Sequence, residues 1–210
     1  NIICYDLPGS CSGFTNGMIH SYAFLKSKIV NNVLLICADA HSKKLEENLL
    51  PVIGDGLSCV LIKRKKNNTQ IDFGVDGINN EILSIDSESN KLKMDGIKVF
   101  EFAVKRVPET YSRILKKINY KIDFYCFHQP NKTIHDHLIK KLKIDFKKVI
   151  STFDYGNTSA ASIPLAMSKN FANKYIVKKN ILFCGFGAGL SWSSIVTGMD
   201  KTYISKIYKI

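Results

Sequence analysis

Asp6-Leu7-Pro8-Gly9-Ser10-Cys11-Ser12-Gly13-Phe14 is the stretch on which the reading of this chain turns. The run before it, Ile2-Ile3-Cys4-Tyr5, is strand-like, and Pro8-Gly9 marks a turn. Behind it, Phe14, Met18, Ile19, Tyr22, Leu25 and Ile29 recur at three- and four-residue steps, the signature of a helix with one packed face. Cys11 is thus expected at or near the N-terminus of a buried helix. There the macrodipole and free amides favour thiolate over thiol, and the thiolate is the nucleophile. Taken alone, a small buried cysteine capping a core helix is the commoner arrangement.

Outward from this point the chain alternates. Val33–Ala38 is a continuous apolar run, expected as a strand buried on both faces. Asp39–Pro51 is loop or short helix, and Gly54-Asp55-Gly56 is a turn. Ser58–Lys63 alternates like a strand, and Ile71–Val75 is expected to return beside it across the polar turn Lys65–Thr69. Asn79–Lys93 is polar and reads as an irregular excursion. Val99–Ile118 has helical periodicity, with Pro108 inside to kink or break it. Tyr120–Phe127 is a third strand, ending at His128-Gln129-Pro130-Asn131, with a helix from about Thr133 to Leu142. Val149–Phe153 is a short strand, and Gly156–Ser162 opens a helix running to about Tyr175. Asn180–Phe186, the turn Gly187-Ala188-Gly189 and Leu190–Thr197 close the chain. Alternating strands and helices imply α/β layers around a sheet.

Composition sets the bounds. The 210 residues are 45% hydrophobic and 23% charged, an ordinary globular balance. No apolar run reaches a membrane span, and Asn1–Pro8 carry no basic region or cleavage pattern. Six scattered cysteines, none in a Cys-x-x-Cys pair, argue against a zinc site or a disulfide framework and fit a reducing cytoplasm. The net charge of +12 is either solvated lysine or a surface for an acidic partner. Its clusters are Lys63–Lys66, Lys116-Lys117, and Lys140, Lys141, Lys143, Lys147 and Lys148, and no nucleic-acid motif accompanies them.

Three further stretches carry chemistry. His128 ends a strand, where functional groups of α/β folds collect. Asn157 lies at a helix start, and Gly187-Ala188-Gly189 offers an open amide. Each has a plain explanation: backbone-bonded turn histidine, helix cap, tight hairpin turn. Together a thiol, an imidazole, a carboxamide and a glycine-flanked amide make an acyl-transfer site. In these contexts Cys11, His128 and Asn157 resemble the thiolase-fold condensing enzymes, and in particular the β-ketoacyl-acyl-carrier-protein synthase III family. The matching segments are Cys-Ser-Gly-Phe at 11–14, Gly-Asp-Gly at 54–56, Met-Asp-Gly with Val-Phe at 94–100 and His-Gln-Pro-Asn at 128–131. Tyr-Gly-Asn-Thr-Ser-Ala-Ala-Ser-Ile-Pro-Leu-Ala at 155–166 and Gly-Phe-Gly-Ala-Gly-Leu-Ser-Trp at 185–192 complete the set in the family's order.

The resemblance implies a thiolase-like layered α/β/α/β/α fold, with the C-terminal half complete and the N-terminal half partial. Residues 1–75 would be the remainder of the N-terminal half carrying the nucleophile, and 76–210 the C-terminal half carrying His128 and Asn157. It implies that Cys11 takes an acyl group from a thioester. His128 and Asn157 then bind a malonyl thioester carbonyl during decarboxylation, the amides of Cys11 and Ala188 form an oxyanion hole, and Phe186 walls the acyl pocket. Substrates would ride on the phosphopantetheine of acyl carrier protein or on coenzyme A, with no metal or redox cofactor. The carrier protein would dock at Lys140 and Lys141, and a homodimer, no nucleic acid and no membrane are expected. Acyl transfer to an oxygen or nitrogen nucleophile, or a non-catalytic subunit needing a partner chain, are the alternatives. Thr133 stands where the family has a phosphate-binding arginine, with Lys132 beside it, and Ser10 where alanine is usual. The Asp39–Gly54 loop is shorter than the family's. Two strands and their helices that precede the nucleophile in the family do not precede it here, so the 210-residue chain alone is expected to be inactive and to associate.

Overall fold

A computed structural model describes residues 2–41, 52–65, 67–86, 88–89 and 91–209. Most of the loop expected after Asp39, and Lys66 of the basic cluster, lie outside the described residues.

Helix α1 spans Gly13–Lys26 and is entered through a 3-10 turn, Ser10–Ser12. Strands β1 (Asn32–Asp39) and β2 (Gly56–Lys63) pair antiparallel, Leu35 opposite Val60. Strand β3 (Gln70–Val75), a small hairpin β4 (Leu83–Ile85) and β5 (Leu92–Met94), and helix α2 (Gly96–Lys117) follow. Then come β6 (Phe124–Phe127), α3 (Lys132–Lys141), α4 (Ser162–Phe171) and β7 (Lys174–Ile176). Strands β8 (Lys179–Gly187), β9 (Ser191–Met199) and β10 (Thr202–Ile204) end the chain, β10 pairing with β7. The principal sheet has the order β3-β9-β8-β6, with β6 parallel to β8 and the other pairs antiparallel.

Two apolar cores flank this sheet. On one face Leu182, Phe186, Trp192 and Val196 pack against Val99, Phe102 and Val107 of α2 and Leu138 of α3. On the other, Ile181, Phe183 and Ile195 pack against Phe14 of α1 and Ile163 and Ala166 of α4. Beyond α1 and α4 lies the β1–β2 ribbon, where Leu35 and Val60 join the same core. The order helices, sheet, helices, ribbon gives four of the layers expected for the thiolase-like fold.

Several local expectations are corrected. Ile2–Tyr5 forms no strand; Ile2 and Ile3 are exposed, and Tyr5 rests edge-on to Phe24. β1 is not buried on both faces: Leu34 and Ile36 are 59% and 56% exposed, Leu34 opposite the equally exposed Leu61 of β2 and Ile36 opposite the exposed Cys59. β3 does not return beside β2 but pairs with β9, Phe73 opposite Ser193. Only the latter partner extends a sheet already anchored by two cores. The polar excursion holds the β4–β5 hairpin. Val149–Phe153 makes one bridge, to Tyr125, and no strand. The fourth helix stops at Phe171, where Asn173 turns left-handed to start the β7–β10 pair.

Helix α2 runs through Pro108 for 22 residues. Proline removes the amide that would bond the carbonyl four residues back, that of Val104. Lys141 of α3 fills the gap, its Nζ donating to the Val104 oxygen at 2.8 Å. A second tie fixes the same helix to the sheet: Asp72 of β3 accepts from Thr110 at 2.7 Å and from Arg113 at 2.9 Å. Burial alone would raise the Asp72 pKa, but these hydrogen bonds outweigh it and hold the carboxyl below the usual range.

The Pro108 repair predicts an asymmetry between neighbouring lysines. Lys141→Met should cost about 1 kcal/mol of unfolding free energy in a urea titration, because it strands a helix carbonyl. Lys140→Met, on the exposed face, should leave the midpoint unchanged. Equal effects of the two would contradict the repair.

Candidate active site

The Cys11 turn sinks into the sheet because β8 has only glycines beneath it. A Cβ at Gly187 would lie 2.6 Å from Cys11 Cβ and 3.1 Å from Sγ. One at Gly185 would collide with Thr15 and come within 2.8 Å of Ser12 Cα. The constraint is space, since Gly187 has an extended φ of 163°. The helix above is equally bare: Gly17 faces Leu35 so closely that a Cβ there would collide with it. The apolar periodicity missed this. The buried strip of α1 is Phe14, Thr15, Gly17, Ser21 and Leu25, small and polar residues among large ones, while Ile29 is exposed.

His128 is positioned by the sheet itself. Its backbone N–H donates to the Cys184 carbonyl at 2.7 Å, carrying the parallel β6–β8 ladder one residue past the strand. The ring is 1% exposed, with Nδ1 2.8 Å from Ser162 Oγ and the Phe186 ring edge-on at 5.4 Å. Burial drives its pKa down to about 3, against a raising contribution from the Ser159 backbone, so the imidazole is neutral at pH 7.

Asn157 is clamped through its backbone. It donates to the Val52 carbonyl at 2.8 Å and accepts from Gly54 N at 3.0 Å, a parallel bridge that needs glycine at 54, where any Cβ would strike the Tyr155 carbonyl. Gly156 has a φ of +65°, a conformation that glycine adopts without strain. The Asn157 Oδ1 accepts from Ser159 N at 2.9 Å. With its oxygen so engaged, the carboxamide has its NH2 left to donate, and it acts to lower the Cys11 pKa.

Ser159 joins the three groups, and sequence reasoning missed it. Its Oγ lies 3.6 Å from Cys11 Sγ, its amide orients Asn157, and its backbone acts on the His128 ring. It is 2% exposed and holds a φ of +50°, unusual for serine. Asp39, at the end of β1, fixes the same turn by accepting from Ala160 N at 3.1 Å. Ser162 and Asp39 were likewise not singled out. The serine pair of Asn-Thr-Ser-Ala-Ala-Ser was the available signal, masked by the ordinary enrichment of serine at helix starts.

The expectation of a resting thiolate at Cys11 is corrected. Cys11 stands in the 3-10 turn ahead of α1, and desolvation pushes its thiol up to about 11. The hydrogen bond from Ser159 lowers it, the charge of Asp39 raises it, and the backbone and Asn157 lower it again. Removal from water outweighs the helix terminus.

The remaining expected residues are less central. Ala188 opens a 3-10 turn, Ala188–Leu190, between β8 and β9 and is half-buried next to the glycine that faces Cys11. Phe186 packs on His128 and in the α2-side core. Lys140 is exposed; Lys141 is occupied by Val104. Lys132 is paired with Asp136 rather than free for phosphate, and Thr133 is exposed.

Comparison with known proteins follows the same lines. The family described as 3-oxoacyl-[acyl-carrier-protein] synthase III matches residues 5–77, and that described as its C terminal matches 118–199. The chain is 32% identical to the β-ketoacyl-[acyl-carrier-protein] synthase III of Trichodesmium erythraeum, covering 92% of this chain and 67% of that one. Against the Staphylococcus aureus protein of the same name the figures are 34%, 93% and 66%. Among solved structures, the 3-oxoacyl-(acyl-carrier protein) synthase from Burkholderia xenovorans superimposes with a TM-score of 0.90 at 25% identity, over 97% of this chain and 66% of that one. The synthase III from Pseudomonas aeruginosa gives 0.86 at 26%, over 94% and 67%. The chain thus spans about two thirds of the length of these relatives.

The thiol environment predicts a pH profile. A raised pKa leaves Cys11 protonated at neutral pH, so its alkylation by iodoacetamide, followed by peptide mass spectrometry, should rise about tenfold per pH unit from 7 to 10 without a plateau. Ser159→Ala removes a hydrogen bond that lowers the pKa and should slow the reaction at pH 8. A plateau beginning below pH 7 would contradict the raised thiol pKa.

Proposed function

The chain belongs to the β-ketoacyl-acyl-carrier-protein synthase III family, and from that premise we propose that it catalyses decarboxylative condensation of a malonyl thioester onto an acyl group held on Cys11. The observation that carries the reading is the convergence on Ser159 of a half-buried thiol, a neutral imidazole and an oriented carboxamide. The described hydrogen-bond partner of the His128 side chain is a hydroxyl, not a carboxylate. That suits a donor to a carbonyl oxygen better than the thiolate–imidazolium pair of a hydrolase.

In the first half-reaction Cys11 Sγ attacks the thioester carbonyl carbon, the tetrahedral intermediate collapses, and the carrier thiol leaves with the proton that Cys11 gives up. In the second, the malonyl C–CO2 bond breaks and its electron pair becomes an enolate. The tautomer proposed has the ring proton on Nε2, with Ser162 Oγ donating to Nδ1 across their 2.8 Å contact; this Nε2–H and the Asn157 NH2 donate to the enolate oxygen. The new carbon–carbon bond forms at the acyl carbonyl, and Cys11 is released. Both halves place negative charge on a carbonyl oxygen, and fixed donors there contribute roughly 3–4 kcal/mol each. The amides of Cys11 and Ala188 are proposed for the tetrahedral intermediates.

The same reading supplies the setting. Substrates come on the phosphopantetheine of acyl carrier protein or on coenzyme A, and the reaction draws on no metal or redox group. The exposed Lys140, Lys143 and Lys147 suit an acidic carrier, a salt-sensitive contact of point charges, with Lys141 withdrawn from it. A homodimer in the cytoplasm fits the family and the six unpaired cysteines. No helix among the described residues is long and apolar enough to cross a membrane.

The test separates the two halves in the full-length natural protein. A short acyl thioester should leave one adduct on Cys11, abolished by Cys11→Ser. His128→Ala and Asn157→Ala should still acylate but release carbon dioxide from malonyl thioester about a hundredfold more slowly. An adduct on Cys37 or Cys126, or lost acylation with normal decarboxylation, would sink the assignment.

The carrier surface has its own check. Lys140→Glu with Lys143→Glu should weaken turnover with carrier-bound malonate, most at low salt, while acylation by a carrier-free thioester stays constant. Untouched carrier-dependent turnover would place docking elsewhere.

A further inference from the structure

Behind the reacting groups lies a buried ladder of hydroxyls that the acyl-transfer reading does not use. Ser191 and Ser193 of β9 stand directly opposite Gly187 and Gly185 of β8 in the antiparallel register. The two glycines let the nucleophile turn descend onto the sheet, and the two serines meet it there. Ser12, next to Cys11 and fully buried, places its Oγ 2.7 Å from Ser191 Oγ. Ser191 Oγ lies 2.8 Å from the Ala188 carbonyl, and Ser12 Oγ 2.8 Å from the Gly9 carbonyl. Asn16 Nδ2 donates to Ser12 Oγ at 3.1 Å. One rung deeper, Thr15 Oγ1 is 2.6 Å from Ser193 Oγ and 3.0 Å from the Ser12 carbonyl.

Proton counting shows how the bridge is held. Ser12 and Ser191 bring one O–H each to three short contacts: to Gly9, to each other and to Ala188. Two lone-pair oxygens do not rest 2.7 Å apart without a shared proton, so one hydroxyl always donates to the other. The second proton then goes to Ala188 in one order and to Gly9 in the other. Both orders keep the Ser12–Ser191 bond. That bond ties the segment carrying the Cys11 amide to the turn carrying the Ala188 amide, 179 residues apart in sequence.

We propose that Ser12 and Ser191 are positioning residues that set the spacing of the Cys11 and Ala188 amides, and so control the steps that pass through a tetrahedral oxyanion. The proposal rests on the acyl-transfer reading above and adds to it residues that touch no reacting atom. Amides aimed at an oxyanion lose effect steeply when displaced, on the order of a hundredfold for about 1 Å. Decarboxylation relies on His128 and Asn157, which the bridge does not touch.

The experiment uses the full-length natural protein and three variants, Ser191→Ala, Ser191→Thr and Ser12→Ala with Ser191→Ala. Ser191→Ala should acylate Cys11 ten- to a hundredfold more slowly at saturating acyl thioester, with KM nearly constant. Decarboxylation of malonyl thioester and alkylation of Cys11 by iodoacetamide, neither of which builds a tetrahedral oxyanion, should stay within about twofold. Ser191→Thr keeps the hydroxyl and should recover most of the acylation rate. The double variant should be no slower than Ser191→Ala, because the bridge is lost only once. If acylation, decarboxylation and alkylation fall together, the ladder merely supports the fold and the proposal is overturned. It is equally overturned if Ser191→Ala acylates at the wild-type rate. A wild type that accepts no acyl group on Cys11 would overturn the acyl-transfer reading and take this inference with it.

Discussion

The closeness of the Cys11 turn to strand β8 is the constraint from which the rest of the structure follows. Cys11 and Ser12 rest on backbone at Gly187 and Gly185, where a single methyl group would push them away. Backbone contact of that kind leaves no side chain to fill space or bury area, so adhesion must come from elsewhere. Part comes from Phe14, stacked edge-on to Phe183 at 5.7 Å. The remainder comes from hydroxyls on the neighbouring strand, whose unmet hydrogen bonds would cost about 1–3 kcal/mol each if the turn lifted. Glycine supplies the approach, and serine one strand over supplies the grip.

The same closeness dries the site. A thiol and an imidazole taken from water both shift toward their neutral forms, up to about 11 for Cys11 and down to about 3 for His128. Neither group is set up as a standing ion. Dipoles stand closest to them, a carboxamide with its oxygen already occupied and two serine hydroxyls, with the Asp39 carboxylate holding the turn behind. Dipoles fixed by backbone bridges need no rearrangement when charge appears on a substrate oxygen, which is the condition under which they act most strongly.

How much of this the sequence disclosed depended on whether the signal was local. Cys11, His128 and Asn157 were legible because each stands at an element boundary marked by glycine or proline. The layered α/β fold followed from apolar runs alternating with helical periods. The partner of β3 was not legible: Ile71–Val75 follows Ser58–Lys63 closely and has the look of a hairpin, yet β9, far along the chain, is its partner. That Pro108 does not break α2 was hidden for a related reason, since the lysine that satisfies the orphaned carbonyl comes from another helix. Ser159, Ser191 and Ser193 were invisible because serine carries no periodic signal, and their importance arises only where β8, β9 and the first turn of the chain meet. The apolar pattern also overstated β1, whose outward face stays open in the described residues.

The 179-residue separation of Ser12 and Ser191 has a consequence for how the protein is made. A ribosome adds about 5–20 residues per second, so the Cys11 segment emerges roughly ten to forty seconds before the strand that grips it. Throughout that interval the glycine- and serine-rich underside of the first helix has no sheet to lie on, and the helix must wait in a non-native or chaperoned state. The cysteine reaches its buried setting only with the closing β8–β9 hairpin. Until then its thiol is an ordinary one, with a pKa near about 8.5 and open to oxidation. The Cys11 thiol is thus most exposed to damage during its own synthesis, and least once the last strands are in place.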